Sequence, residues 1–550
     1  MNFMEYISSS MSKGTIGAYA SVGVFALFAV CVLLGTFFGA KRGFSKSVIR
    51  IFTVGASAVF SFLGVKWICK MIVDGAEKIS ADGTKSLADI LNSYPSLTSS
   101  IPEVLNPILE EINAGTATTF AMMIFAIVGS PLIFISIFQI LKAASFFLYG
   151  LLAGLTGAIS YGKGPVSTVL GAVVGCVQGA IIAAVMIFPI SGLCNVAMEA
   201  REPLMGNTDA PNAYIANAYS NVIDDLETNP LFNAVDKLGG RELYEDMITI
   251  KIEGEKMYMG DKCLGAVRVV ADLMPVARPG FNWKHPSDTD RAAFSNTVKD
   301  IGGDELVAEL TADLLRGAAK SIKADKINTG LAGATDALVD DVMDMFSTTT
   351  AQTVEGDLDI VLDVYFVMCD RNVLDSFNDG VHNDMRALLT TRGEDGRTTA
   401  SVIIDVLNQY ERATPIVTSF TKISLSVMHG SESFGEEADQ LYENVKEGVT
   451  DALTHKKSDY ETEEEYKAAV QSDLDKALAE NNINVSESVR ENMVDYIANN
   501  YGDHEGEITE RDVNDALLSY YESYANAAQN SGTNPDPDTD PGTDPGTEGE

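Results

Sequence analysis

Four long apolar stretches lie in the first 195 residues, and polar or glycine-rich segments separate them. They cover residues 16–40, 51–73, 120–141 and 166–193. Each reaches the roughly 20 apolar residues that a helix needs to cross a bilayer. The first is too long for the apolar region of a signal peptide and ends in charge, so we expect it to be retained. The pattern predicts a four-helix transmembrane domain over residues 1–195, with a loop at residues 74–119.

A further apolar stretch, residues 143–160, is about as long as a short span. Gly150, Gly154 and Gly157 weaken it as a helix. Lys142 would also be trapped between two spans with little loop to carry it. We therefore interpret this stretch as an interfacial or re-entrant link. The alternative is a fifth crossing, which would move everything after it to the other side of the membrane.

From residue 196 the pattern changes to that of amphipathic helices. Leu306 and Leu310, for example, recur at helical spacing with acidic residues on the other faces. Residues 248–259 instead alternate apolar and polar positions around a Glu-Gly pair, which predicts a β-hairpin. The expected fold class is all-α: a four-helix transmembrane domain, then a mainly α-helical acidic domain over residues 196–528 with a small β-hairpin. Residues 529–550 repeat Pro, Asp, Gly and Thr and are expected to be disordered.

Charge is divided as unevenly as hydropathy. The first 195 residues hold eight acids and eleven bases, whereas the remainder holds 69 acids and 28 bases. An acidic surface repels phosphate groups because both are negatively charged, and nucleic-acid binding depends on Lys and Arg. We therefore expect no nucleic-acid partner. The expected partners are the lipid bilayer and proteins that bind the acidic domain.

A cluster of basic residues lies between the first two spans. Its members are Lys41, Arg42, Lys46 and Arg50. Short loops rich in Lys and Arg stay on the cytoplasmic side during membrane insertion. The cluster therefore predicts that the N-terminus, the loop at residues 74–119 and the acidic domain with the C-terminus are all extracytoplasmic.

Two motifs carry a resemblance to a known family. The first is "GAKRGFSKSVIRI" between the first two spans, and the second is "VLGAVVGCVQGAIIAAVMIF" in the fourth. The positions concerned are Arg42, Gly43, Phe44, Gly171, Gly175 and Gly179. In their order and spacing they resemble the R-G-F element and small-residue ladder of the colicin V production protein (CvpA) family, over residues 15–195. The chain departs from the family pattern after R-G-F, where Ser45, Lys46 and Ser47 replace the acid that family members often carry.

The resemblance implies a multi-pass protein of the bacterial plasma membrane. Its implied work is non-catalytic support of toxin production or export, or of cell-envelope maintenance. The acidic domain lies outside the family core, and we expect it to serve as an interaction domain.

The glycines also have a physical interpretation. Gly171, Gly175 and Gly179 are four residues apart and share one helix face, and Gly35 with Gly39 offers a similar face on the first span. Such faces let two helix backbones approach closely, which is a main source of packing energy in lipid. We expect packing within the four-helix domain. A homo-oligomer interface is the alternative.

Candidate chemistry within the spans is sparse. The predicted spans contain no Asp or Glu, the residues that usually form proton or ion relays. A coupled transporter is therefore disfavoured, while a membrane channel or exporter remains an alternative function.

One stretch of the acidic domain, "YGDHEGEITERDV", resembles a calcium-binding EF-hand loop through Asp503, Glu505 and Asp512. Position 1 of the loop is Tyr501, however, and position 12 is Asp instead of the bidentate Glu. We expect a turn followed by a helix capped through Thr509 and Asp512. No metal or cofactor is expected.

A hydrolase is the remaining alternative, tethered to the membrane and facing outward. Ser433 lies in S-x-S-x-G, close to His429, and "TKISLSVM" could supply the strand that a nucleophile elbow needs. No alternation of strands and helices surrounds it, so we expect no catalytic residue and no enzyme. Cys263 and Cys369 could pair outside the cell, but two cysteines do not form a framework and the sequence leaves their pairing open.

Overall fold

The computed structural model describes residues 16–80, 85–92, 105–155, 165–201, 224–252, 255–273, 281–324, 334–375, 391–428, 436–481 and 485–530. Within them the chain is mostly helical with one two-stranded antiparallel sheet, as the sequence predicts. The chain forms two compact units. Unit 1 comprises Met1–Phe281, Ala292–Gly317 and Thr350–Gln352, and unit 2 comprises Asn282–Arg291, Ala318–Thr349 and Thr353–Glu550.

Unit 1 contains the four helical spans that are long and apolar enough to cross a membrane, which confirms this part of the prediction. They are built from α1 (Ile16–Arg42), α2 (Phe44–Ser80), α5 (Ala114–Ile124) continued through a π-helical turn (Phe125–Gly129) into α6 (Ser130–Leu155), and α7 (Pro165–Glu199). Two short helices, α3 (Leu87–Asn92) and α4 (Asn106–Glu111), lie between α2 and α5.

The third span continues beyond its predicted end. Helix α6 runs to Leu155, so the first part of the stretch at residues 143–160 extends this helix. Residues 156–164 lie outside the described residues. Glycine costs a helix only about 1 kcal/mol, and an unpaired backbone group in an apolar setting costs several. Gly150 and Gly154 therefore do not end the helix.

A junction segment, residues 224–273, follows the fourth span. It consists of α8 (Pro230–Lys237), α9 (Gly240–Ile248), β1 (Thr249–Ile252), β2 (Glu255–Tyr258) and α10 (Met259–Leu273). The two strands pair antiparallel with Ile250 opposite Met257, so the predicted hairpin is confirmed. Gly239, with φ of +87°, makes the tight turn between α8 and α9.

The compact unit does not end where the apolar helices end. Val65, Met123 and Ile187 of the spans share one buried cluster with Met247 and Ile248 of the junction segment. The sequence-based boundary at residue 195 marks a change of hydropathy. The folded unit extends past that boundary because the junction segment buries its apolar face on the helix ends.

Two further helices, α11 (Asp288–Gly303) and α12 (Glu305–Ala324), follow. The remaining helices belong to unit 2: α13 (Ala334–Ser347), α14 (Val354–Asp370), α15 (Thr399–Leu407), α16 (Thr414–Met428), α17 (Glu436–Thr454), α18 (Glu463–Glu480), α19 (Glu487–Asn500) and α20 (Glu510–Asn530). Helix α20 joins two cores of unit 2, because Tyr520 packs in one with Tyr442 and Tyr466, and Tyr521 in the other with Ile404.

Candidate functional site

A one-residue corner joins the first two spans. Gly43 has φ of +81°, in the left-handed region that favours glycine, and it separates α1 from α2. The Ser47 hydroxyl donates to the Gly43 carbonyl at 2.9 Å. The Phe44 N–H donates to the Ser167 hydroxyl at 3.4 Å, which ties the corner to the start of α7. The R-G-F element thus forms the turn itself.

The basic cluster surrounds this corner. Lys41 lies over the Phe37 ring with its Nζ 4.5 Å from the ring centre, and Arg42 lies over Phe38 at 5.1 Å. Cation–π contacts of this kind keep the cations at the helix end beside the apolar surface. Lys46 and Arg50 follow on the first turns of α2.

Glycines form the contact between α1 and α7, and we call this contact the glycine seam. Its members are Gly35, Gly39, Gly171, Gly175 and Gly179. A Cβ added to Gly175 would lie 2.2 Å from the carbonyl oxygen of Gly35. A Cβ on Gly171 would lie 2.5 Å from the Gly39 carbonyl oxygen. No side chain fits at these positions, so the two backbones touch. A second copy could use either glycine face only by opening the seam.

The seam also fixes the relative direction of the two helices. Gly43 lies against Gly171, whereas Cys31, near the middle of α1, lies against Gly179, further along α7. The helices are therefore antiparallel, and the start of α7 lies at the end of the bundle that carries the corner.

At the opposite end of the bundle, polar contacts fasten the junction segment to the helices. The Asn229 amide, fully buried, donates to the Ser21 hydroxyl at 2.6 Å and also caps α8 by accepting from the Leu231 N–H at 2.9 Å. Asn195 on α7 donates to the Asp236 carboxylate at 3.2 Å. Each contact pairs a group that would otherwise be costly to bury.

An aromatic side chain completes this attachment. The Tyr244 ring packs flat on Gly192 of α7, where a Cβ would lie 2.0 Å from the ring. Its hydroxyl donates to the Ile127 carbonyl at 3.0 Å, inside the π-helical turn. Burial raises the pKa of the Tyr244 phenol, so the hydroxyl stays a donor. An ion pair between Lys66 of α2 and Asp246 of α9, at 2.6 Å, lies beside it.

A polar pocket of about 450 Å³ opens at the same end of unit 1. The end of α2, the start of α5, the hairpin, α10 and α12 all contribute to its lining. Three acids four residues apart, Glu305, Glu309 and Asp313, lie on one face of α12. Glu309 accepts from the Thr116 hydroxyl at 3.1 Å, and Asp313 accepts from the Asn113 N–H at 2.8 Å.

Charges within the pocket are partly balanced. Arg316 pairs with Asp313, which is buried, and with Glu111 at 3.1 Å. Burial raises the pKa of the Asp313 carboxyl, and the hydrogen bond from Asn113 and the Arg316 charge oppose that rise. Lys262 lies 3.9 Å from Glu305. The pocket therefore has the polarity to hold a small polar or cationic molecule.

The described lining of this pocket offers hydrogen-bonding and charged groups. Its described lining residues include threonines, amides and carboxylates but no cysteine, serine or histidine. The usual pairing of nucleophile and imidazole base is thus missing among them. The acids at helical spacing on α12 could be noticed in the sequence, but nothing there indicates that residues 113–119, about 200 positions earlier, would face them.

The residues of the EF-hand-like stretch include the helix cap that the sequence predicts. Thr509 precedes α20, and Asp512 accepts from both the Thr509 N–H at 2.8 Å and its hydroxyl at 2.6 Å. Asp512 therefore serves as a helix-capping residue. Asp503 and Glu505 precede the cap, and among the described residues no group of three His, Cys, Asp or Glu side chains has a metal-binding arrangement.

The strand that a hydrolase would need is a helix. "TKISLSVM" forms the second half of α16, and its Ile423 and Leu425 are buried. The suggested strand was wrong: Ile423 and Leu425 lie on opposite sides of α16, and both are buried because neighbouring helices pack on several sides of it. Ser433 and His429 lie outside the described residues. Cys263, in unit 1, and Cys369, in unit 2, both carry free thiols.

Comparisons with family models, curated proteins and solved structures found no match to this chain.

Proposed function

We propose that this chain is a four-span protein of the bacterial plasma membrane that anchors an acidic helical domain on the extracytoplasmic face. In this role it supports toxin production or export, or envelope maintenance, without catalysis, as the resemblance to CvpA implies. The observation that carries the proposal is the glycine seam. Backbone contact between α1 and α7 leaves no space for a path between them, as expected of an anchor.

The direction of the helices supports four crossings. With four, the first and last spans run antiparallel, as α1 and α7 do. A fifth crossing between α6 and α7 would make the first and last spans parallel and would move the start of α7 away from the corner at Gly43. The hydrogen bond between Phe44 and Ser167 requires that these two points lie together.

Charge supports the orientation. The corner carries Lys41, Arg42, Lys46 and Arg50, which the positive-inside rule assigns to the cytoplasm. The junction segment attaches to the other end of the bundle through Asn229. The junction segment and the domain that follows it are then extracytoplasmic.

Protease accessibility on intact cells tests this topology. A specific cleavage site is inserted within residues 531–550 of the full chain, and a matched control site is inserted within residues 156–164. We expect external protease to cut the first site on intact cells and the second only after lysis. Protection of the first site together with exposure of the second would reverse the orientation and overturn the proposed role.

A channel or exporter is the second candidate, because the polar pocket at the ends of α2 and α5 is what the mouth of a conduit would need. The purified chain in liposomes distinguishes the two functions. An anchor gives ion and dye flux equal to that of empty liposomes. Flux that rises with protein content and is lost on closing the pocket with Thr116→Trp would favour the conduit.

A further inference from the structure

An apolar groove of about 300 Å³ lies between the spans and the turn that joins α8 to α9. Its walls come from α2, α6 and α7, and the turn closes one end. Representative lining residues are Val59, Leu63, Ala184, Phe188, Leu238 and Leu243. Two thirds of the lining residues belong to helices that are long and apolar enough to cross a membrane.

The turn exposes large apolar side chains, whose contact with water is unfavourable. Leu238 is 79% exposed and Leu243 is 51% exposed, although both belong to the acidic part of the sequence. On the adjoining wall, Val59 is 60% exposed. These side chains form one continuous apolar surface with the groove. Monomeric proteins in water rarely keep such surfaces uncovered.

Neighbouring residues indicate the depth of the turn. Lys66 and Trp67 follow the groove residues on α2, and Trp67 is 62% exposed. Exposed tryptophan and lysine near a span end are typical of the membrane–water interface. Leu63 lies about one helical turn before them toward the middle of the span, and it lines the same groove as Leu238. The groove thus extends from the turn to the hydrocarbon side of that level.

We propose that the turn between α8 and α9 dips into the outer leaflet and that the groove beneath it holds the acyl chain of a phospholipid. The proposal rests on the four-span function given above. A helical hairpin with Leu238 and Leu243 at its turn and the charged Lys237, Arg241 and Glu242 directly beside them has the composition of an interfacial element. The lipid would hold the junction segment against the spans by filling the space between them.

Fluorescence quenching tests the depth of the turn. The chain contains two tryptophans, so a Trp67→Phe, Trp283→Phe background accepts single reporters at Leu238→Trp, Val59→Trp and Val361→Trp. The full chain is reconstituted in vesicles of phosphatidylethanolamine and phosphatidylglycerol with brominated acyl chains. A tryptophan buried in the acyl region is quenched by the bromine atoms and loses fluorescence relative to unbrominated vesicles.

The three reporters separate the two proposals. We expect quenching at Val59→Trp and Leu238→Trp and none at Val361→Trp, an exposed position on α14. Quenching at Val59→Trp alone would overturn the lipid-immersed turn and leave the four spans intact. No quenching at Val59→Trp would overturn the membrane-spanning function itself.

Retention of lipid tests the groove. Ala184→Phe places a ring in the groove, and Val173→Phe, on the exposed face of the same helix, is the control. Native mass spectrometry of the detergent-purified chain is expected to show bound phospholipid in the wild type and in Val173→Phe, with severalfold less in Ala184→Phe. Equal lipid in all three overturns the acyl-chain site. A Leu238→Cys disulfide between two copies, in a chain that migrates as a dimer, would show that a second copy covers the groove instead.

Discussion

The spans of unit 1 and the helices of unit 2 are packed by different kinds of residue. In unit 1, α1 and α7 meet at the glycine seam, where no side chain intervenes. In unit 2, the helices meet at large side chains such as Tyr442, Tyr466 and Ile404, which are completely buried. Lipid tails are as apolar as leucine, so burying apolar side chains contributes little to the association of spans. Close packing of the two backbones supplies the attraction instead. In water, each buried Å² contributes about 25 cal/mol, which favours large residues.

The buried polar contacts of the two units also differ. The junction segment makes buried neutral hydrogen bonds with the spans, from Asn229 to Ser21 and from Tyr244 to Ile127, whereas its ion pair between Asp246 and Lys66 is partly exposed. Unit 2 instead buries a carboxylate, that of Asp357, which the partly exposed Arg412 meets at 2.7 Å and to which Thr349 and Thr353 also donate. The charge is stabilised there because four donor groups surround the carboxylate: two N–H groups of Arg412 and the hydroxyls of Thr349 and Thr353.

The largest effect is expected from closing the space at the glycine seam. Gly175→Leu drives a side chain into the Gly35 carbonyl, and the two helices must separate, at a cost of roughly 3 kcal/mol or more. We expect little monodisperse protein after detergent extraction, measured by size-exclusion chromatography. At Gly55 a Cβ meets nothing within 4 Å, so Gly55→Leu is the control and should extract normally. Normal extraction of Gly175→Leu would mean that the seam does not hold the bundle.

The next largest effect concerns the ion pair of unit 2. Arg412→Met leaves the Asp357 carboxylate, whose side chain is fully buried, without a counter-charge, at a cost of about 3–5 kcal/mol. Hydrogen exchange of the α14 amides in the full chain measures this loss. Adding Asp357→Asn should recover part of it. Lys467→Met removes only exposed pairs with Glu463 and Asp495 and should cost far less stability than Arg412→Met. Equal effects of the two methionine variants would contradict the burial argument.

A smaller effect is expected where the junction segment meets the spans. Tyr244→Phe keeps the ring on Gly192 but leaves the Ile127 carbonyl without its donor, at a cost of about 1–2 kcal/mol. Hydrogen exchange in α9 should rise accordingly while unit 2 is unaffected. Tyr19→Phe, at an exposed position, serves as the control. An unchanged α9 would show that packing alone fastens the segment.

The smallest effect depends on pH. Burial raises the pKa of the Asp515 carboxyl to about 6, and the nearby Asp405 and Asp512 add to the rise while Arg511 opposes it. The folded state therefore binds more protons than the unfolded state between about pH 4 and 6, so this group's contribution to stability is lost as pH rises through that window. Asp515→Asn removes the cost of the charge and keeps an oxygen that can accept from Asn408.

The measurement for Asp515 is a difference between two chains. The thermal midpoint of Asp515→Asn minus that of the wild type, in detergent, should grow from pH 4 to about 6.5 and then level off. Partial exposure limits the gain to roughly 1 kcal/mol. A difference that is constant with pH would show that Asp515 does not titrate in this range.

The spans and the hairpin could be predicted because their signals are local. Apolar length predicts the four spans, and alternation around a Glu-Gly pair predicts the hairpin. The capping-box pattern, a Ser or Thr followed three residues later by Glu, is a less certain signal for the start of a helix. Thr462 caps α18 by accepting from the Glu465 N–H at 3.2 Å, as its capping-box pattern indicates. The same pattern at Ser488 is misleading, because α19 begins at Glu487 after Ser486. Two serines on either side of Glu487 leave the local signal ambiguous.

The features that could not be predicted depend on distant partners. The glycines of the seam could be named from their spacing, but their pairing across the bundle could not. Asn229 and Ser21 are 208 residues apart, and Asn113 and Asp313 are 200 apart. One sequence carries no signal for such pairs. The polar pocket and the attachment of the junction segment were therefore missed.

The distance along the chain between the two halves of the seam has a consequence for biosynthesis. About 140 residues separate Gly35 from Gly175. At a synthesis rate of 5–20 residues per second, the first helix waits roughly 7–28 s for the fourth. Throughout that delay its small-residue face is open to any other helix in the bilayer. The native pairing of the two glycine faces therefore cannot form until the fourth helix has been synthesised.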